Sequence, residues 1–349
     1  MTLRTIDFFA GGGGLSLGFA QAGFDVVCAV ENWQPALEVY RANFKSHEAV
    51  ALDLSNEQEA LKLLDSYKPD MVIGGPPCQD FSSAGKRDES GGRASLTINY
   101  ANLISLYRPQ FFVMENVARA ASSKAFKLAL DIFKRANYGL TIQLLNAAHC
   151  GAPQSRKRLI VIGQLNGKDG FLDEALSAGQ SAAPMTLRQY FKNKLPFEHY
   201  YRHPRSYARR AVFSIDEPSP TIRGVNRPVP KGYPGHAGDP VPVSECIRSL
   251  TTQERALIQT FPDNFQLPGT KSDVEQVIGN AVPVKLAYYV ASRLAIYIEE
   301  ARNAQTLPTP GQLFEPAATS VGQGVSKRKS KPVARIPVDL KALINEGRA

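Results

Sequence analysis

The 349-residue sequence predicts an α/β protein, a doubly wound and mostly parallel sheet carrying a smaller, irregular, loop-rich region. Three observations predict it. Short apolar runs alternate with amphipathic stretches over the first 165 residues, glycine-rich turns follow the runs, and from about residue 176 the alternation gives way to proline-punctuated sequence. The length has room for two domains at roughly 100–200 residues each. With 43% hydrophobic and 21% charged residues, the composition excludes disordered and collagen-like classes.

In order along the chain, TIDFF (5–9), DVVCAV (25–30), DMVIGG (70–75), QFFVMEN (110–116) and RLIVIG (158–163) read as strands. Apolar runs of this length without polar alternation indicate strands covered on both faces, as in a parallel sheet. Leu15–Ala22, Pro35–Phe44, Glu57–Ser66, Leu96–Tyr107 and Lys124–Arg135 carry helical spacing between them. Strand–helix alternation of this kind is the signature of a doubly wound sheet. From 176 to 245 prolines multiply (Pro204, Pro218, Pro220, Pro228, Pro230, Pro234, Pro240, Pro242) and apolar residues scatter singly. Helical character returns at Thr252–Thr260 and Pro283–Asn303. The expected division is therefore 1–175 plus 276–304 as one domain, 176–275 as a second domain with its hinge, and 305–349 as a flexible basic tail containing KRKSK (327–331).

The formal charge is +9. Between Arg188 and Lys231 ten Lys/Arg face three acids, a local excess of +7, interleaved with Tyr190, Tyr200, Tyr201 and Tyr207 and followed by Tyr233. A basic segment bearing aromatics suits a polyanion with stackable bases, against the plainer reading of a solvated basic face. Cys28, Cys78, Cys150 and Cys246 lie far apart with no CxxC pair, so neither a metal site nor a disulfide framework is expected, and a cytoplasmic setting is. No uninterrupted apolar run reaches the roughly 18 residues of a membrane span, and the amino terminus does not read as a secretory signal.

Ala10-Gly11-Gly12-Gly13-Gly14 follows the first strand and opens a helix. Such glycines let a ligand approach the backbone, and the helix start offers free N–H donors. Glu31 at the end of the second strand is placed to accept from ribose hydroxyls. Trp33 is a candidate face for an adenine, or a core residue, and Asp53 a candidate acceptor for an exocyclic amine. The loop departs from GxGxxG, which argues against a pyrophosphate cofactor and permits a nucleoside one such as S-adenosylmethionine.

Gly74-Gly75-Pro76-Pro77-Cys78-Gln79-Asp80-Phe81-Ser82 stands after another strand, where open α/β sheets place their sites. A cysteine there faces a ligand, whereas Cys28 inside its strand reads as a small buried apolar residue. Glu115-Asn116 ends the neighbouring strand.

These segments resemble the DNA cytosine-5 methyltransferases, of the prokaryotic restriction–modification or orphan type. GPPCQDFS resembles their nucleophile motif, DFFAGGGGLSLGF their S-adenosylmethionine loop, MENV their glutamate motif and QSRKR (154–158) their QxRxR motif. RSLTTQERALIQTFPD (248–263) and GNAVPVKLA (279–287) are similar to their last two motifs, in the family's order. The resemblance covers about residues 4–165 and 247–303. It implies the class I S-adenosylmethionine-dependent methyltransferase fold with a target-recognition domain. It further implies Cys78 as nucleophile, Glu115 against N3 and the amino group of the base, Arg158 against O2, and Arg156 in support. Phe8, Gly11, Gly13, Glu31, Trp33, Asp53, Pro76, Leu96, Asn280 and Val282 would line the cofactor, whose product form is S-adenosylhomocysteine. Ser219-Pro220-Thr221-Ile222-Arg223-Gly224 resembles the threonine-centred recognition element, with Thr221, Arg223 and Arg227 as DNA-reading candidates. Two departures stand out: residues 88–97 match the family's fifth motif only loosely, and His149-Cys150 replaces an expected acid–aromatic pair.

The chemistry agrees with these residue types. A thiolate adding at C6 of cytosine makes C5 enamine-like, and an acid at N3 stabilises the adduct. Cys78 would need local activation and Glu115 a raised pKa. The base must leave the duplex to be reached. The partners expected are double-stranded DNA, a restriction endonuclease acting on the same site without stable contact, and no membrane, with the protein monomeric and nucleoid-associated through DNA. Two alternatives stay open: a tRNA cytosine-5 methyltransferase of the same fold, and a catalytically silent DNA-binding protein on this scaffold.

Overall fold

The computed structural model describes residues 2–77, 94–244 and 246–304. Strands β1 (Arg4–Phe8), β2 (Asp25–Val30), β3 (Glu48–Val50), β4 (Met71–Gly74), β5 (Phe111–Val117), β6 (Tyr138–Asn146) and β8 (Lys157–Leu165) form one sheet in the order β3-β2-β1-β4-β5-β8-β6. Helices α1 (Gly14–Gln21), α2 (Gln34–Asn43), α3 (Glu57–Tyr67), α4 (Ala94–Tyr107) and α5 (Lys124–Arg135) connect the successive strands of its first two thirds. The helix starts are locally encoded. Asn56 accepts from the Glu59 N–H and Ser123 from the Phe126 N–H, each satisfying a donor that the first turn leaves unpaired.

Side chains alternate across the strands and divide the core into two layers. Val72, Phe112 and Met114 join Leu103, Phe126 and Phe133 on one face. Met71, Ile73, Phe111 and Val113 join Leu15, Phe19, Leu286 and Val290 on the other. The second face is covered by α1 and by α10 (Val284–Asn303). By length and composition alone the tract 271–303 would suit a membrane span, but most of its apolar window is buried within the molecule, as in a core helix.

The sheet is mostly parallel, with a difference at one end. β1 pairs in parallel with β2 and β4, and β4 with β5, but β8 runs antiparallel to both β5 and β6. RLIVIG therefore does not belong to the parallel set. A fully covered antiparallel strand carries the same unbroken apolar run as a parallel one, so its direction is not written in its local sequence.

After residue 165 the elements shorten: α6 (Asp173–Ala178), α7 (Leu187–Phe191), the hairpin β9 (His199–Tyr201) with β10 (Val212–Ser214), and the two-residue pair β11 (Ser219–Pro220) with β7 (Gln154–Ser155). α8 (Thr252–Ile258) and α9 (Lys271–Asn280) complete the region. Their apolar residues form a third core, including Leu187, Tyr200, Phe213, Ile222, Phe261 and Val277, which takes in Ala36 and Val39 of α2. The irregular region is thereby packed directly on the sheet's helical layer.

Candidate active site

The site lies at the carboxyl ends of β1, β2, β4 and β5, where the strand order reverses between β1 and β4. Gly11 sits just past β1 at φ +56°, and a Cβ there would meet nothing within 4 Å. Its N–H donates to Glu31 Oε2 at 2.8 Å, while Glu31 Oε1 accepts from the Trp33 N–H at 2.8 Å. One carboxylate thus ties the glycine turn to the start of α2. Gly13 is the residue before α1 with φ +90°, and a Cβ on it would collide with the Phe44 ring. Trp33 is half-buried and packs on the third core; Asp53 is exposed, its Oδ1 accepting from the Ser55 N–H. Leu96 lies in the first turn of α4 and Pro76 is buried beyond β4. Asn280 is exposed and accepts from Gln276 Nε2, and the Val282 carbonyl lies where a side chain on Gly14 would go.

Phe8 is fully buried and packs edge-on against Tyr100 at 6.5 Å, facing the core rather than the turn. The neighbour that sequence reasoning passed over is Phe9. It is half-buried, has φ +57° and stands directly before the turn. A strand buried on both faces over Ile6-Asp7-Phe8, with Ile6 and Phe8 on one face, then breaking at Phe9, is the signal that distinguishes the two rings.

At the other half of the edge, Arg158 Nε meets Glu115 Oε1 at 2.5 Å, both side chains 11% exposed. The antiparallel register produces this pair. Glu115 lies opposite Ile160 and Val117 opposite Arg158, so Glu115 and Arg158 are diagonal neighbours on one sheet face. Burial lowers the Arg158 pKa and the Glu115 carboxylate opposes that shift. Glu115 Oε2 faces the Gly75 backbone, since a Cβ on Gly75 would come within 3.2 Å of it. Asn116, unassigned from the sequence, donates from Nδ2 to the Pro76 carbonyl at 3.2 Å. It anchors the Gly-Pro-Pro segment to β5. Cys78 itself lies outside the described residues, as do 79–93 and the tail 305–349.

Arg156 is placed differently from Arg158. It is 2% exposed, and donates through Nη1 to the Ile222 carbonyl at 2.9 Å and through Nη2 to the Gly279 carbonyl at 3.0 Å. Burial and the adjacent Arg158 push its pKa well down. It clamps the 219–224 element against the end of α9. Gln154, fully buried, joins the same clamp by accepting from the Ile222 N–H and donating to Gln259 Oε1. Thr221 Oγ1 donates to the Ser155 carbonyl at 2.9 Å. Arg223 is half-buried with Nη2 donating to the His203 carbonyl, whereas Arg227 is exposed.

An acid paired with arginine beside a Gly-Pro-Pro turn, on the same sheet edge as a glycine turn held by a second acid, defines a methyltransferase-type site on an α/β sheet. The description of C-5 cytosine-specific DNA methylases matches residues 3–295, and the chain belongs to that family. It is 53% identical over 299 residues to the Type II methyltransferase M.HindV of Haemophilus influenzae, covering 85% of this chain and 98% of that protein. It is 50% identical over 303 residues to the Type II methyltransferase M.HgiDI of Herpetosiphon aurantiacus, covering 87% and 97%. Among solved structures, a putative DNA modification methyltransferase encoded within an Escherichia coli prophage superposes with a TM-score of 0.62 at 24% identity, over 85% of this chain and 100% of that one. At that identity the likeness speaks for the fold. The protein is a DNA cytosine-5 methyltransferase.

Proposed function

We propose that the chain binds S-adenosylmethionine along the β1–β3 edge and methylates a cytosine swung out of double-stranded DNA, with Cys78 as nucleophile. The open space beside Gly11, with the Glu31 carboxylate bracing the turn, fits a nucleoside with hydroxyls to donate. Glu31 would take the ribose, Asp53 the adenine amine, and Phe9, Trp33, Pro76, Leu96 and Val282 the apolar surfaces. When bound, the cofactor supplies an electrophilic methyl group on a sulfonium.

The chain's own residues would do the rest. The Cys78 thiolate forms a bond to C6 while Glu115, held by Arg158, donates to N3, so that the ring electrons collect at C5. C5 takes the methyl group, a base removes the C5 proton, and the C–S bond breaks to return the thiolate. The single observation that supports this reading best is the Glu115–Arg158 pair beside Gly75. It fixes one carboxylate oxygen and leaves the other facing the segment that leads to Cys78.

In this reading residues 176–275 form the target-recognition domain, with Thr221, Arg223 and Arg227 toward the DNA, one Arg223 nitrogen, Nη2, being engaged by the His203 carbonyl. A restriction endonuclease of the same site specificity, a cytoplasmic location and a monomeric state complete the proposal. Bisulfite sequencing of DNA and of tRNA from cells expressing the chain tests it. Conversion-resistant cytosines at one recurring DNA sequence are expected. Resistance confined to tRNA, or found in neither, would contradict the proposed substrate.

A further inference from the structure

We infer that the tip of the β9–β10 hairpin is a DNA-contacting wedge, in which Tyr207 stacks on a base at the opened target step and Arg205 and Arg209 hold the flanking phosphates. The inference rests on the duplex-DNA reading above. Tyr201 pairs with Val212, and the Arg202 N–H donates to the Ala211 carbonyl at 2.7 Å, so residues 203–210 form the projecting end of the hairpin. There the Arg209 N–H donates to the Ser206 carbonyl and the Ala208 N–H to Ser206 Oγ. This turn puts Tyr207 at the apex.

Tyr207 is 50% exposed, while Tyr200 and Tyr201 of the same hairpin are buried. Its ring is nonetheless braced. It lies 5.7 Å from Tyr233, which meets Tyr201 edge-on at 5.5 Å and donates its hydroxyl to Asp239 Oδ2 at 2.9 Å. Asp239 Oδ1 in turn accepts from the Ala211 and Val212 N–H groups. A buttressed, exposed ring has little freedom left to lose on stacking, which favours binding.

Charge is also available at this tip. Three of the segment's ten basic residues are engaged by acids: Arg188 by Glu198 and Asp216, Arg210 by Glu217, and Lys194 faces Asp263. Arg205 and Arg209 are exposed and, among the described residues, neither side chain has an ion-pair or hydrogen-bond partner. The hairpin is also latched to the recognition element. Arg223 Nη2 donates to the His203 carbonyl and Arg202 Nη2 to the Thr221 carbonyl, and Arg156 connects that element to the β8 strand bearing Arg158. A cytosine that leaves the stack exposes the faces of its neighbours, and an apolar or aromatic side chain is the group that re-covers them.

The test uses the full chain, a duplex with its target cytosine replaced by 2-aminopurine, and matched and mismatched target duplexes. Tyr207→Ala should lower kcat/KM on the paired duplex by about ten- to hundredfold, the range for one lost base–aromatic stack. It should also reduce the 2-aminopurine fluorescence rise, with melting temperature and cofactor affinity unchanged. Tyr207→Phe should restore both readouts, because the ring and not the hydroxyl does the stacking. A mismatch opposite the target, which pre-opens the step, should recover most of the alanine variant's rate. Arg205→Ala and Arg209→Ala should each flatten the salt dependence by about one unit for all sequences alike. Wild-type behaviour of Tyr207→Ala, failure of phenylalanine to rescue, or equal losses on paired and mismatched DNA would overturn the wedge. If the wild-type chain itself neither methylates the duplex nor raises the fluorescence, the substrate reading fails instead.

Discussion

Glu115 and Arg158 show how much of the proposed chemistry depends on a single contact. The carboxylate has one oxygen on the Arg158 guanidinium at 2.5 Å and the other toward Gly75, so its orientation is set before any base arrives. Glutamine keeps the shape but cannot carry the proton or match the guanidinium's charge. Glu115→Gln is therefore expected to cut methyl transfer by about 10²–10⁴-fold, the usual worth of a positioned acid, while S-adenosylmethionine binding by calorimetry stays near wild type. A variant with undiminished transfer would remove Glu115 from the mechanism. At this scale the sequence was informative about residue type and less so about orientation. Glu115 and Arg158 were legible as members of two motifs. That Arg156, two positions away, turns from the site to hold Ile222 and Gly279 follows from the break between β7 and β8, in which it lies, and from tertiary packing, neither of which the motif spacing contains.

Elements are joined at the cofactor end by a buried polar chain. Asp7 of β1 is fully buried, its Oδ2 accepting from the Ser16 N–H at 3.1 Å and hydroxyl at 2.6 Å, while Oδ1 has no partner among the described residues. The Tyr40 hydroxyl of α2 donates to Ser16 Oγ at 2.7 Å and lies 2.7 Å from His47 Nε2. Burial, with Glu31 adding to it, pushes the Asp7 pKa up to about 7 from 3.8. Between those two values the folded protein keeps a proton that the unfolded chain has released. Stability from this group is therefore full below about pH 4 and is lost as pH rises through 7. Asp7→Asn should remove that slope, measured as melting temperature against pH from 4 to 8 relative to wild type. An unchanged slope would show that Asp7 is not its source. The helices of this half were legible because their apolar spacing and caps are local. β6 was missed, since Thr141 and Gln143 interrupt its apolar run and its place is at the sheet edge beside β8. α9 was missed too, although Thr270 caps it and Val274, Val277 and Ile278 follow helical spacing. Its ten residues straddle the expected domain boundary at 275/276, which divides that spacing between two regions.

Across the whole molecule, the 219–224 element is seated on the end of α9 at a glycine-to-glycine contact. A Cβ on Gly279 would lie 2.1 Å from the Gly224 nitrogen and 2.4 Å from the Arg223 carbonyl carbon, so the end of α9 and the 219–224 element touch backbone to backbone. Beside it, the buried pair of Arg255 and Glu275 at 2.9 Å and the bond from Asn226 Nδ2 to Glu275 Oε1 hold the same element. Gly279→Ala must separate the two segments. It should cost about 1–3 kcal/mol of stability, as overpacking commonly does, and weaken DNA binding more than cofactor binding. Urea melts with titrations of both ligands would check this; equal affinities for DNA in the two proteins would deny the contact a role in recognition. Composition foretold a basic second region, but not which of its charges remain available. The ion pairs of Arg188 and Arg210 are made by acids both near and far in sequence, and only the folded chain brings them together.

A covalent route through Cys78 on a duplex substrate leaves a trappable adduct. A duplex carrying 5-fluorocytosine at the target is incubated with the protein and S-adenosylmethionine, then resolved under denaturing conditions. Fluorine cannot leave C5 as a proton does, so the wild type should accumulate a cofactor-dependent protein–DNA adduct, mapped by mass spectrometry to Cys78, and Cys78→Ser should accumulate none. Turnover without an adduct, or an adduct that persists in the serine variant, would rule out Cys78 as the nucleophile.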